Sequence, residues 1–157
     1  MGNFGGTLTA RSAGDLRGHM QATGFAGADE AEVLGDGWQE CEFDESGPRG
    51  LADLVRLTGA PAVLVAFLDS DVGFVEAATP DGASWEGLLN RGKAEDYEIP
   101  LEQFPVESAV KGALTWSAAA GLTADEALVR KALTGSALFA EELASLLSTA
   151  LGIPGQG

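Results

Sequence analysis

The chain has 157 residues, is 45% hydrophobic, and carries 24 acidic against 9 basic residues for a formal net charge of −15. The length is ample for one core, and the acidic field repels phosphate backbones and anionic lipid, which excludes an ordinary nucleic-acid or membrane-surface binder. No run approaches the roughly 18–20 apolar residues of a membrane span, the first residues lack a basic and apolar leader, and one cysteine, Cys41, cannot form an internal disulfide, so the expected compartment is the cytoplasm.

In chain order, residues 3–9 are short and glycine-rich and suit an edge strand at best. Ser12, three positions before Asp15, resembles a capping box and opens a helix to about Thr23, which Gly24 ends. Residues 25–37 mix small and acidic side chains and read as a loop or a short helical turn, closed by the tight-turn pair Asp36-Gly37. Trp38 to Phe43 alternates between two faces, with Trp38, Glu40 and Glu42 on one and Gln39, Cys41 and Phe43 on the other. That is a strand with one wet side, and Cys41 beside Phe43 reads as a buried, inert thiol. Ser46 to Gly50 starts a helix with Pro48 in its first turn. Leu51, Leu54, Val55 and Thr58 then form one stripe, and Gly59 stops it.

Ala62 to Leu68 is seven apolar residues in a row, the mark of a strand buried on both faces, so the core is expected to form around it. The acidic turn Asp69-Ser-Asp-Val-Gly73, with Gly73 at a special backbone angle, leads into a second strand, Phe74 to Thr79, and Pro80-Asp-Gly82 turns the chain again. Residues 83–105 are the least regular. Trp85, Leu88 and Leu89 suit a short helix, Arg91 to Glu98 is charged, and Ile99 to Pro105 reads as an extended loop of a length that often carries function. Three helices follow. Val106, Val110 and Leu114 share a face of the first, which Gly121 closes. Thr123-Ala-Asp-Glu126 is a capping box for the second, which Gly135 stops. Ser136 caps the third, whose stripe is Phe139, Leu143, Leu146, Leu147 and Ala150, ended by Gly152 and Pro154.

The expected architecture is α/β of the α+β type. A small mixed or antiparallel sheet has helices packed on it, and a three-helix layer follows at the C-terminus. Residues 1–157 form one domain, with the sheet in 1–105 and the helices in 106–157.

Candidate chemistry concentrates after the apolar strand. Val63 to Leu68 followed by Asp69-Ser-Asp71-Val72 resembles the first motif of the haloacid dehalogenase-like phosphotransferases. That resemblance implies Asp69 as nucleophile, Asp71 as acid/base and a magnesium ion beside them. No comparable apolar strand follows Thr79 to carry that family's further residues, and an acidic hairpin turn accounts for the same side chains. Leu54 to Val65 is similar to the helix-to-strand entry of GAF-type sensor domains, which implies a ligand pocket over an antiparallel sheet; a closed apolar cavity near Trp85 would mark it.

Other motifs fail on their spacing. A calcium loop from Asp69 would need a ligand, a glycine and a glutamate where Gly73, Phe74 and Pro80 stand. Gly87 to Ala94 is a near miss to a P-loop, ending in Ala94 where a Ser or Thr hydroxyl belongs, with no apolar strand running into it, and reads as chance similarity. His19, the single histidine, reads as packed or at a rim, so no histidine metal cluster or triad is at hand. Trp38, Trp85 and Trp116 each suit a core anchor.

Residues 1–105 hold 19 acids and 6 bases, against 5 and 3 in residues 106–157, so the acidic excess belongs to the sheet portion. The leading expectation is a non-enzymatic interaction protein without cofactor or metal that offers an acidic face to a basic protein partner. A bacterial immunity-type or adaptor protein is its concrete form. The binding candidates are Glu40, Glu42, Asp44 and Glu45, with Asp69 and Asp71 as a second patch. The alternatives are a magnesium-dependent phosphatase using Asp69 and Asp71, and a small-ligand sensor.

Overall fold

The apolar run Ala62–Leu68 is a strand with the bounds its pattern predicts, and an antiparallel sheet extends from both its edges in the computed structural model, which describes residues 4–155. The strands are β1 (Gly6–Arg11), β2 (Phe25–Ala26), β3 (Glu32–Gly35), β4 (Trp38–Phe43), β5 (Glu45–Ser46), β6 (Ala62–Leu68), β7 (Val72–Ala78) and β8 (Ser84–Leu89). The helices are α1 (Leu16–Ala22), α2 (Gly50–Thr58), α3 (Arg91–Asp96), α4 (Val106–Ala119), α5 (Glu126–Thr134) and α6 (Ala140–Leu151). Six strands pair in the order β3-β4-β1-β6-β7-β8, all antiparallel, and β2 with β5 forms a separate small ribbon.

Helices lie on both faces, which is why β6 is apolar without interruption. Val63, Val65 and Phe67 join Val75, Ala77, Trp85 and Leu89 beneath α4, α5 and α6. Ala62 and Leu64 point the other way, into a core with Leu8, Cys41, Phe43, Leu16 and Met20 of α1, and Leu51, Leu54 and Val55 of α2. A smaller cluster of Val72, Leu88 and Ala94 sits under the segment leading to Phe104.

Several local expectations are corrected. β1 is central, paired with both β4 and β6; Asn3, part of the expected edge strand, lies outside the described residues. Gly6, which weakens the strand pattern, is what permits the position: a Cβ there would lie 2.5 Å from the Val65 carbonyl oxygen and 2.6 Å from the Phe43 ring. The expected loop over residues 25–37 contains β2 and the edge strand β3, whose Val33 remains 74% exposed. Trp85, Leu88 and Leu89 belong to a strand, not a helix. Positions 85 and 89 match both an i,i+4 helical face and an alternating strand face, and Gly87 between them makes room for Leu133.

The caps also shift. Asp15, not Ser12, accepts from the Arg17 N–H, and Asp125, not Thr123, accepts from the Leu128 N–H. Pro48 lies before α2 and not in its first turn. Phe139 stands at the N-cap of α6 instead of Ser136; its N–H donates to Glu142 and its ring is largely exposed. In the β6–β7 hairpin, the left-handed residues are Asp69 and Ser70 (φ 51° and 57°), and not Gly73. They are the central residues of a tight turn that the Asp71 N–H closes on the Leu68 carbonyl at 2.9 Å, with Leu68 and Val72 the last paired residues of the hairpin.

Candidate functional site

The α4–α6 layer covers β6, β7 and β8 but leaves part of β3, β4 and β1 facing a groove beside α6. Pairing fixes what that part displays. Glu42 lies opposite Thr7, which lies opposite Val65; Glu40 lies opposite Thr9, which lies opposite Val63; Glu32 of β3 pairs with Glu40. These residues line a groove of about 370 Å³ whose floor includes Val63, Val65, Phe67 and Leu147. The helix wall carries Glu141, Ser145, Ser148 and Thr149, and among the described residues no lysine or arginine lines the space. An adjoining hollow of about 210 Å³ is lined, among the described residues, by Asp29, Glu30, Glu32, Glu40 and Glu42. At one end of the sheet, Arg11 on β1 is engaged elsewhere. Its guanidinium donates to the Ala120 carbonyl at 2.8 Å and lies 5.8 Å from the Trp38 ring, which in turn packs on Trp116.

Partial burial pushes the Glu40 carboxyl up from its ordinary value, the charges of Glu32 and Glu42 push it further, and the Thr9 hydroxyl at 3.5 Å offsets them in part. The sign follows from linkage. A carboxyl with a raised folded-state pKa contributes stability fully present below its ordinary value of 4.5 and lost as pH rises through the folded value. At neutral pH this charge therefore costs stability, and a bound cation would relieve the cost.

No family model matches the chain, and neither a curated protein nor a solved structure does. Among the described residues, no group of three or more histidine, cysteine or acidic side chains is arranged to hold a metal ion.

The expected site residues separate. Glu40 and Glu42 meet in the groove, with Glu32, Glu141, Thr7 and Thr9, which the sequence did not single out. Asp44 and Glu45 are exposed beside a different hollow, lined also by Phe4, Phe43 and Ala66. Asp69 and Asp71 lie in the β6–β7 turn and are not among the residues that line the groove. Asp71 is engaged by the protein itself, accepting from the Tyr97 hydroxyl at 2.7 Å and from Lys93 Nζ at 3.1 Å, and those two donors hold its carboxyl below the usual range. The haloacid dehalogenase-like resemblance implies parallel strands around these aspartates, whereas β6 and β7 form an antiparallel hairpin. Trp85 lines two clefts of about 390 and 470 Å³, both open to solvent and carrying charged residues, including Glu76, Glu86 and Lys111. Cys41 is buried, its S–H donates to the Asp29 carbonyl at 2.9 Å, and burial pushes its thiol pKa up.

The chain holds one tyrosine, so its titration can be read directly. Donation to Asp71, then partial desolvation and the charges of Asp71, Asp69 and Asp96, push the Tyr97 phenol up to about 12 from 10.0. The contribution of this contact is retained below the ordinary phenol range and lost as pH rises through the raised value. Absorbance titration of the native protein is expected to give a midpoint near 12, falling toward 10 in Asp71→Asn; an ordinary midpoint in both would show that Tyr97 does not hold Asp71.

Proposed function

We propose that this protein is a non-enzymatic binding module that presents the carboxylates of β4 to a basic protein partner, in the manner of an immunity-type or adaptor protein. The observation that carries the reading is the make-up of the groove, with glutamates on its rim, aliphatic side chains on its floor and no lysine or arginine among the described residues that line it. Lysine and arginine have the matching construction, an apolar stem that packs on hydrocarbon and a charged head that stays at a polar rim. A rim of one sign also steers a basic partner into place and sets its register. The phosphotransfer alternative draws less support, because Asp71 is already satisfied by Lys93 and Tyr97.

The test is a titration of a fluorescent lysine- and arginine-rich peptide into the intact protein at low salt and at about 0.15 M salt, where charges beyond about 8 Å are screened. Glu40→Gln with Glu42→Gln is expected to weaken binding about tenfold or more at the higher salt, as loss of charge-assisted contacts does. Glu95→Gln with Asp96→Asn removes the same charge from α3 and is expected to change little. Equal losses from the two double variants would refute a specific site at β4.

A further inference from the structure

We propose that the outer edge of β8 binds an extended segment of a protein partner as an added antiparallel strand, in the cleft beside α4. The site lies at the opposite end of the sheet from β3 and β4 and does not depend on the reading of the β4 groove. Hydrogen bonding fixes which backbone groups are on offer. The Thr79 N–H donates to the Ala83 carbonyl at 2.9 Å, so in the register that follows, Trp85, Gly87 and Leu89 bond to β7, and the N–H and C=O of Ser84 and Glu86 turn outward. Among the described residues nothing pairs with those groups, and both residues are exposed. Native sheets usually blunt such an edge by shortness, proline, lysine or a bulge. β3, at the other edge, has four residues and an irregular register. β8 has six, holds neither proline nor lysine, and keeps an unbroken register with β7. An edge left open in this way is a template for one more strand.

The cleft beside that edge has a volume of about 470 Å³, and Ser108, Lys111 and Thr115 of α4 line its helix side. The helix decides between a second copy of this chain and a single strand. α4 presses on β8 so closely that a Cβ at Gly112 would lie 2.4 Å from the Trp85 Cβ. A second copy joined edge to edge would bring its own α4 about 5 Å to the side of this one, the spacing of neighbouring strands, whereas packed helices need about 8–10 Å. A lone strand carries no such helix. Side-chain alternation then sets the chemistry of the segment. The residue paired with Glu86 lies on the face where Glu86 already stands opposite Glu76; like charges so placed repel, and a lysine or arginine there relieves them. The next residue, across from Trp85, points to the α4 side. Lys111 there makes no ion pair or hydrogen bond among the described residues, so an aspartate or glutamate complements it. The segment recognised is extended and carries a basic residue followed by an acidic one.

The experiment uses the intact protein and a fluorescent, threonine-rich peptide of about nine residues with Lys-Glu at its centre, at about 0.15 M salt. N-methylation of the lysine amide, which faces β8, is expected to weaken binding about tenfold or more. N-methylation of the glutamate amide, which faces away, is expected to change it by less than about twofold. Glutamine in place of the peptide's glutamate is expected to weaken binding about threefold in the parent, the size of an exposed ion pair, and not at all in Lys111→Gln. Glu86→Pro removes an outward N–H without touching the ladder to β7 and is expected to weaken binding about tenfold, with a melting curve to check its folding. Equal effects of the two methylations, or no binding at about 1 mM peptide, overturn the proposal whatever the proline variant does. So does a parent protein that sediments as a dimer beside a monomeric Glu86→Pro variant, which would assign the edge to a second copy.

Discussion

Asn90→Ala is expected to cost the fold about 4 kcal/mol, a large share of the 5–15 kcal/mol typical of a domain. Asn90 is almost fully buried, and its amide ties three segments together. Nδ2 donates to the Asp71 carbonyl at 2.8 Å and the Ala137 carbonyl at 3.0 Å, while Oδ1 accepts from the Ala137 N–H at 3.2 Å. Alanine would leave those backbone groups without their buried partner, and each such loss costs about 1–3 kcal/mol. It would also place a Cβ-bearing residue less tolerant than asparagine at φ 67°. Asn90→Gly separates the two effects, since glycine relieves the backbone strain but lacks the side-chain hydrogen bonds just as alanine does; it is expected to recover only about 1 kcal/mol. Urea unfolding of the three proteins reads this directly. Full recovery by glycine would mean that the amide contacts carry no weight.

Gly112→Ala is expected to destabilise by about 2 kcal/mol, although alanine is the better helix former by about 1 kcal/mol. Packing decides the sign. A Cβ at position 112 would lie 2.4 Å from the Trp85 Cβ and 2.9 Å from its Cγ. Those atoms are the root of the side chain, so rotation of the indole cannot clear them, and α4 would have to lift from β8. Gly92→Ala in α3 is the control, because nothing lies within 4 Å of its added methyl. It is expected to stabilise by up to about 1 kcal/mol. A gain in both variants would show that α4 does not press on Trp85 as described.

How far the fold was legible depended on how many faces of an element are buried. β6, sandwiched between two helical layers, and the amphipathic stripe of α2 have one reading each, and both have the expected position. β1 and β8 were misread because glycine lowers strand propensity at the very positions where close packing requires it, Gly6 against Phe43 and Gly87 against Leu133. β3 is an edge strand of four residues, Glu32 to Gly35, too short for an alternating pattern to show, and its Val33 faces solvent.

The site was legible in part for the same reason. The alternation of Glu40 and Glu42 with Cys41 and Phe43 announced a wet face, but nothing local said which element would stand across from it. Glu141 lies 99 positions beyond Glu42 in the chain, and only the packing of α6 against β6 brings it to the groove. Asp71 shows the converse. An acidic turn reads as a free patch until Lys93 of α3 and Tyr97, the residue that caps that helix, close on it.

The most direct test of the central claim is a map of amide chemical shifts in the labelled protein as a lysine- and arginine-rich peptide is added. The acidic β4 groove predicts that shifts gather at Thr7, Thr9, Glu40, Glu42, Ser145 and Ser148, and are small at Asp53, Glu95 and Asp96, which are just as acidic in composition but outside the groove. Shifts scattered over all the acidic positions, or centred on the turn at Asp69 and Asp71, would contradict it.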